Sequence, residues 1–212
     1  MTGERAIRLF VAIELPPAWL EGLGELQSRM QAALQADTDL RDTRLRWVKP
    51  EGIHLTLKFI GEVAPDRLDA IKGQLAAAVP ESPNIELSFW SAGSFSDQRS
   101  PRVIWGGIET PQREQLYALA ASIETWLAAA GVPRERRGFT PHLTLARLPQ
   151  ELPDAIRSRI AEVTTTIQAP EMPPFVVQTV SLMQSHLGPG GARYERLMVY
   201  PISALQPPPR QI

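Results

Sequence analysis

The 212-residue sequence predicts an α+β fold of two pseudo-symmetric lobes, each an antiparallel or mixed sheet flanked by helices, with a cleft between them. Three observations lead there. Apolar runs of strand character alternate with stripes of helical period. The order strand, helix, strand, helix recurs. The tetrapeptide His-Leu-Thr-Leu occurs twice, at residues 54–57 and 142–145, in a chain with only three histidines. With 43% apolar residues the chain can bury a sizeable core. No linker rich in Gly, Ser or Pro divides it, so residues 1–212 read as one bilobal domain.

The first element is the run "IRLFVAIELP", a buried strand over residues 7–15 closed by proline. A helix follows from Ala18 to about Ala36, where Leu20, Leu23, Leu26, Met30 and Leu34 recur at three- and four-residue steps. "LRWVKPEGIHLTLKFIGEV" gives a short strand, a turn at Pro50 and Gly52, and a second strand ending near Gly61. Pro65 and Asp66 open the next helix, with Leu68, Ile71, Leu75 and Val79 on one stripe.

Two strands around a Gly/Ser/Pro loop are expected in "IELSFWSAGSFSDQRSPRVIWGGIE". Residues 112–130 carry Leu116, Leu119, Ile123, Trp126 and Leu127 on one helical face, with Gly131 as the stop. "FTPHLTLARL" is another strand, and a short helix from Pro153 to about Glu162 follows. The last elements are a strand through "PFVVQTVSLMQS", a glycine-rich turn "LGPGGARY" and a closing strand "ERLMVYPI". The tail "SALQPPPRQI" is expected to fray.

Composition narrows the function. With no cysteine there is neither a disulfide framework nor a thiolate metal site. A formal net charge of -1 argues against coating long nucleic acid duplexes through a general positive field, although it allows a local basic cleft. No signal-peptide pattern and no run of about eighteen apolar residues is present. A soluble cytoplasmic protein without membrane contact is therefore expected.

The doubled tetrapeptide carries the chemistry. Along a strand, alternate side chains share a face, so His54 and Thr56 point one way and Leu55, Leu57 and Phe59 point into the core. His142 and Thr144 are backed likewise by Leu143 and Leu145. If the lobes face each other about a pseudo-twofold axis, two imidazoles meet across the cleft. Such a pair suits acid–base catalysis near neutral pH, and an in-line displacement at phosphorus needs a base on one side and an acid on the other. Threonine hydroxyls two residues along can bond the non-bridging oxygens. A single His-x-Thr is more often a satisfied core or surface group; its repetition at matching places in a histidine-poor chain favours a shared site. Metal-ligand spacing is absent, with no His-x-His and no HExxH, so neither metal nor cofactor is expected.

With "RLFVAIELP", "RWVKPEGIHLTLKFIGEV", "PRVIWGGI", "FTPHLTLAR" and "VSLMQSHLGPGGARYERL", the chain resembles the two-histidine (2H) phosphoesterase superfamily through nearly its whole length. Within it, the bacterial and archaeal RNA 2′,3′-cyclic phosphodiesterases are the nearest likeness. The resemblance implies metal-independent hydrolysis of a terminal ribose 2′,3′-cyclic phosphate to a 2′-phosphate, and reverse 2′-5′ RNA ligation by the same groups. It implies His54 as general acid, His142 as base, Thr56 and Thr144 as phosphate-binding hydroxyls, and Arg147 as a basic residue near the phosphate. By strand parity, Arg147 points with the leucines unless a twist or bulge turns it. The expected partners are RNA ends or oligonucleotides with a 2′,3′-cyclic phosphate, taken by a monomer. A non-catalytic RNA-end-binding module and a phosphodiesterase for small cyclic nucleotides are the alternatives.

Lesser candidates remain. Arg134, Arg136 and Arg137 are placed to guide an RNA backbone, although a solvated loop is the plainer reading. Trp47, Phe95, Trp105 and Phe139 are candidates to stack a terminal base, each more often core than platform. Tyr194 reads as a strand-edge tyrosine, and His186 as an exposed residue of the glycine-rich turn without a catalytic role.

Overall fold

The structure is a computed structural model that describes residues 5–79, 85–94, 102–188 and 191–202. Phe95, the tip of the glycine-rich turn and the tail from residue 203 lie outside the described residues.

The strands are β1 (Ile7–Glu14), β2 (Arg46–Trp47), β3 (His54–Val63), β4 (Glu86–Ser94), β5 (Val103–Glu109), β6 (His142–Arg147), β7 (Phe175–Val176), β8 (Thr179–Gly188) and β9 (Gly191–Pro201). The helices are α1 (Pro17–Ala36), α2 (Leu68–Ala78), α3 (Arg113–Ala129) and α4 (Asp154–Thr165), with 3-10 turns at Pro50–Gly52 and Pro65–Arg67. Pro17 opens α1, where its missing N–H costs no intrahelical bond. Gly131, at φ 77°, ends the turn after α3 in the left-handed conformation that glycine tolerates best. The glycine-rich stretch is mostly strand: β8 runs to Gly188 and β9 begins at Gly191, so strand pairing takes up most of the expected turn.

All pairings are antiparallel, in the order β7-β4-β5-β6-β3-β1-β8-β9, with β2 alongside β6. The two histidine strands are thus the central neighbours β6 and β3, joined at the pair Leu55–Leu143. On one side of this seam lie β3, β1, β8 and β9; on the other lie β6, β5, β4 and β7.

The helices interleave with respect to chain order. Although α1 follows β1, it packs on α4, and its Trp19 meets Phe89 of β4 and Phe175 of β7 edge-on. Helices α2 and α3 pack together, α3 against β3 and α2 against β9, where Tyr200 Oη donates to the Lys72 carbonyl at 3.2 Å. Each half of the sheet therefore depends on a distant chain segment. Leu55, Leu57, Leu143 and Leu145 join Leu23, Leu26, Leu116, Leu119 and Ile123 in one core. Trp126 departs from the predicted stripe: it is 42% exposed, because the buried face of α3 runs through Leu116, Leu119, Ala120, Ile123 and Leu127. No described helix is long and apolar enough to cross a membrane.

Candidate active site

The pair Leu55–Leu143 sets the geometry of the seam. Antiparallel register about it puts position 54 beside 144 and position 56 beside 142, so each histidine neighbours the other strand's threonine. Both leucines are fully buried, while both histidines and both threonines are half-buried on the opposite face. Strand parity here acts as expected from the sequence.

The histidines share a second feature. His54 Nδ1 donates to the Gly52 carbonyl at 2.8 Å, and His142 Nδ1 donates to the Thr140 carbonyl at 2.8 Å, the same bond two residues upstream in each strand. A carbonyl only accepts, so Nδ1 carries the hydrogen in both rings and proton exchange falls to Nε2. One backbone device thus fixes tautomer and ring orientation twice.

Arg147 joins this face because β6 is bulged. Thr144 pairs with Trp105 and Ala146 with Ile104, leaving Leu145 as an extra residue. Leu145 and Ala146 are consequently both buried, and Arg147 returns to the histidine face, exposed. The same device operates in β3, where Thr56 pairs with Ala12 and Lys58 with Val11, leaving Leu57 extra. Leu57 and Lys58 are both buried, and Phe59 turns outward. Phe59 is therefore not a core residue, as simple alternation predicts, but is 51% exposed on the chemical face.

An aromatic box surrounds His54. Phe10 stacks on its ring with centroids 4.6 Å apart, and Tyr194 meets it edge-on at 5.1 Å. Tyr194 also meets Phe10 edge-on at 5.2 Å. Tyr194 is thus more than a strand-edge residue: β9 carries it back over the site. Burial is the largest influence on His54 and holds its pKa below the ordinary 6.5; the bond to Gly52 and the charge of Glu14 pull it up, while Arg147 and His142 push it down. His142 is also lowered, first by burial, against the pull of its bond to Thr140, and then by Arg147. One guanidinium acts on both imidazoles.

The lesser candidates divide. Trp105 pairs with Thr144 and so stands on the site face, half-buried, lying flat where Gly93 and Gly107 leave room. Trp47 packs against the core, as does Phe139, which also meets Tyr117. Arg134, Arg136 and Arg137 are exposed on their loop. His186 is not in a turn but in β8, where its Nε2 donates to Glu195 Oε2 of β9 at 2.9 Å. Phe10, Glu14 and Phe59 escape sequence reasoning as site residues. For Phe10 and Glu14 the signal is their alternation with the core residues Leu9, Val11 and Ile13, masked because Phe10 is itself buried; for Phe59 alternation points the wrong way, since the bulge at Leu57 inverts it.

A face that offers two Nε2 atoms, two hydroxyls and one guanidinium can bind a phosphate and move a proton on each side of it. The family described as LigT like Phosphoesterase matches residues 15–105 and 107–194, each stretch containing one His-Leu-Thr-Leu. The chain belongs to this family. It is 32% identical over 196 residues to the RNA 2′,3′-cyclic phosphodiesterase of Methanothermobacter thermautotrophicus, covering 92% of this chain and 98% of that one. The protein of the same name from Archaeoglobus fulgidus is 27% identical over 194 residues, covering 92% and 99%. Among solved structures, Escherichia coli LigT complexed with 3′-AMP matches with a TM-score of 0.66 and 27% identity over 95% of this chain and 99% of that one. TT0787 of Thermus thermophilus shares the fold at a TM-score of 0.70, with 23% identity over 94% and 100%.

Proposed function

We propose that this chain hydrolyses the 2′,3′-cyclic phosphate of RNA ends to a 2′-phosphate, with His54 and His142 as the acid–base pair. The observation that carries the reading is the paired bond of each Nδ1 to a carbonyl two residues upstream, on strands neighbouring in one sheet. His142 Nε2 takes a proton from water as the water oxygen bonds to phosphorus. The bond from phosphorus to the ribose 3′ oxygen breaks, and His54 Nε2 gives that oxygen its proton. The histidines end with their protonation states exchanged, and solvent restores them. Thr56, Thr144 and Arg147 stabilise the charge gathering on the non-bridging oxygens. The same groups, with roles reversed, support 2′-5′ ligation. Residues 1–212 act as one bilobal unit, and because both histidines come from one chain, the reading takes a monomer as competent, at work in the cytoplasm.

The test is an oligonucleotide ending in a 2′,3′-cyclic phosphate, with 2′- and 3′-phosphate products separated, in the presence and absence of EDTA. A 2′-phosphate product formed with EDTA present, and lost in His54→Ala and His142→Ala variants that remain folded, is the expected result. Retained turnover in either variant, or turnover restored to an EDTA-treated protein only by zinc, overturns it. Binding of a 2′-phosphate end without turnover assigns the cleft to a binding module instead.

A further inference from the structure

The two halves of the sheet can be compared position by position through their matching bulges. Ala12 pairs with Thr56 as Trp105 pairs with Thr144, and Phe10 pairs with Phe59 as Val103 pairs with Arg147. One step further, Glu14 pairs with His54, whereas Gly107 pairs with His142. The pseudo-twofold is therefore broken in charge. At matching registers a carboxylate stands beside His54 and a glycine beside His142, while a phenyl ring follows the first histidine and a guanidinium the second.

We propose that Glu14 is the positioning residue that keeps the proton on His54 and so fixes which of two otherwise matched histidines is the acid. This rests on the hydrolytic reading above, in which His54 protonates the leaving oxygen. An acid must hold a proton in the free enzyme, yet His54 is enclosed by Phe10 and Tyr194, and enclosure disfavours the imidazolium. Among the described residues the charged groups acting on it are Glu14 from β1, which favours the charged ring, and Arg147 and His142 from β6, which oppose it. From β9, Tyr194 presents a ring edge, and Arg196 acts through Glu14. Lys58 lies on the opposite face, bound to the Pro133 carbonyl at 2.8 Å and to Glu124 at 2.9 Å.

The carboxylate is held for this task. Arg196 Nε donates to Glu14 Oε1 at 2.8 Å and Arg196 Nη2 donates to Oε2, a two-pronged clamp from β9 that holds the carboxylate on the site face. The matching place beside His142 is held by a glycine in tight surroundings. A Cβ at Gly107 would stand 3.0 Å from Trp105 Cζ3 and 3.3 Å from the Ser91 carbonyl oxygen. At this register the base therefore faces a glycine, where the acid faces a carboxylate.

The experiment has two readouts, kinetic and spectroscopic. In the first, kcat/KM for a cyclic-phosphate oligonucleotide is followed against pH for the wild type, Glu14→Gln and Glu14→Asp. Loss of the carboxylate makes His54 easier to deprotonate, so the basic limb of Glu14→Gln moves down by about half a pH unit or more, as expected for a nearby charge. Its activity then falls severalfold above neutrality and is nearly unchanged at acid pH, while Glu14→Asp restores the wild-type limb. A clamp that only ties β9 to β1 predicts instead an equal loss at every pH, and that result overturns the proposal. In the second, the three histidine rings are titrated by NMR without substrate. A fall for His54 in Glu14→Gln, with His142 unmoved, is expected; an unmoved His54 overturns the proposal. If the wild type turns over no cyclic phosphate, the hydrolytic reading fails, while the ring titration still decides the role of Glu14.

Discussion

Phe59 and Arg147 stand at the same register in the two halves of the sheet, each carried onto the histidine face by a one-residue bulge at the second leucine of its His-Leu-Thr-Leu. The backbone device is duplicated and the side chain it delivers is not. A guanidinium offers a planar fork to a phosphate; a phenyl ring offers only surface.

The two residues therefore have unequal effects on catalysis. Arg147→Ala is expected to lower kcat/KM for a cyclic-phosphate oligonucleotide by about 10²-fold, the scale of one donor removed from a developing oxyanion. Phe59→Leu is expected to leave it within about threefold, since no charge or donor is lost. Steady-state kinetics on variants of unchanged circular dichroism provides the check, and an equal loss in both would show that the bulge geometry matters more than the cation.

Burial of the histidines couples stability to pH. Both have pKa values held below 6.5 in the folded chain, so the unfolded chain takes up their protons first as pH falls. Their contribution to stability is full above about pH 6.5 and is lost as pH falls through the lower folded values. Thermal melting from about pH 8 to pH 5 should show this decline, and His54→Gln should flatten it relative to the wild type. A decline equally steep in the variant would assign the acid sensitivity to the carboxylates.

What the sequence made legible follows periodicity. The strands and helices, the face shared by His54 and Thr56, and the core role of Leu55 and Leu143 follow from periods of 2 and 3.6. Residues displaced by the bulges were not legible in the same way, because one extra residue in a strand inverts every later assignment. Alternation alone puts Phe59 in the core for that reason, and it puts Arg147 on the site face only where the strand breaks its period. Partnerships across the chain were equally hidden: nothing local to "GARYERL" shows Tyr194 against His54, since β9 reaches it through long-range pairing.

Lys58 illustrates a buried charge created by such a bulge. It is 2% exposed and held by the Pro133 carbonyl, Glu124 and, at 3.9 Å, Glu135. Lys58→Ala removes the cation and leaves those acceptors facing a void, so a loss of roughly 3 kcal/mol in urea unfolding is expected. Turnover per folded molecule should be unchanged, since Lys58 is on the side of the sheet away from the histidines.

Gln27 supplies the most specific test of the bulge in β6. This residue of α1 is 3% exposed, and its side-chain amide donates to the Val48 carbonyl at 2.7 Å and the Leu145 carbonyl at 2.9 Å. The Leu145 carbonyl also accepts from Val48 N at 2.9 Å, so the bulged residue is pinned by a strand neighbour and by a helix behind the sheet. Gln27→Leu keeps the apolar bulk and removes both donors, which should cost about 2 kcal/mol for carbonyls left underbonded in the interior. With the bulge released, Arg147 has less reason to face the phosphate. We expect kcat/KM to fall by about tenfold, the lower end of a misaligned donor, beyond any loss of folded protein. In a background already carrying Arg147→Ala, Gln27→Leu should destabilise as before but cause no further kinetic loss. Additive kinetic losses in the double variant would show that Gln27 acts on the site by a route other than Arg147.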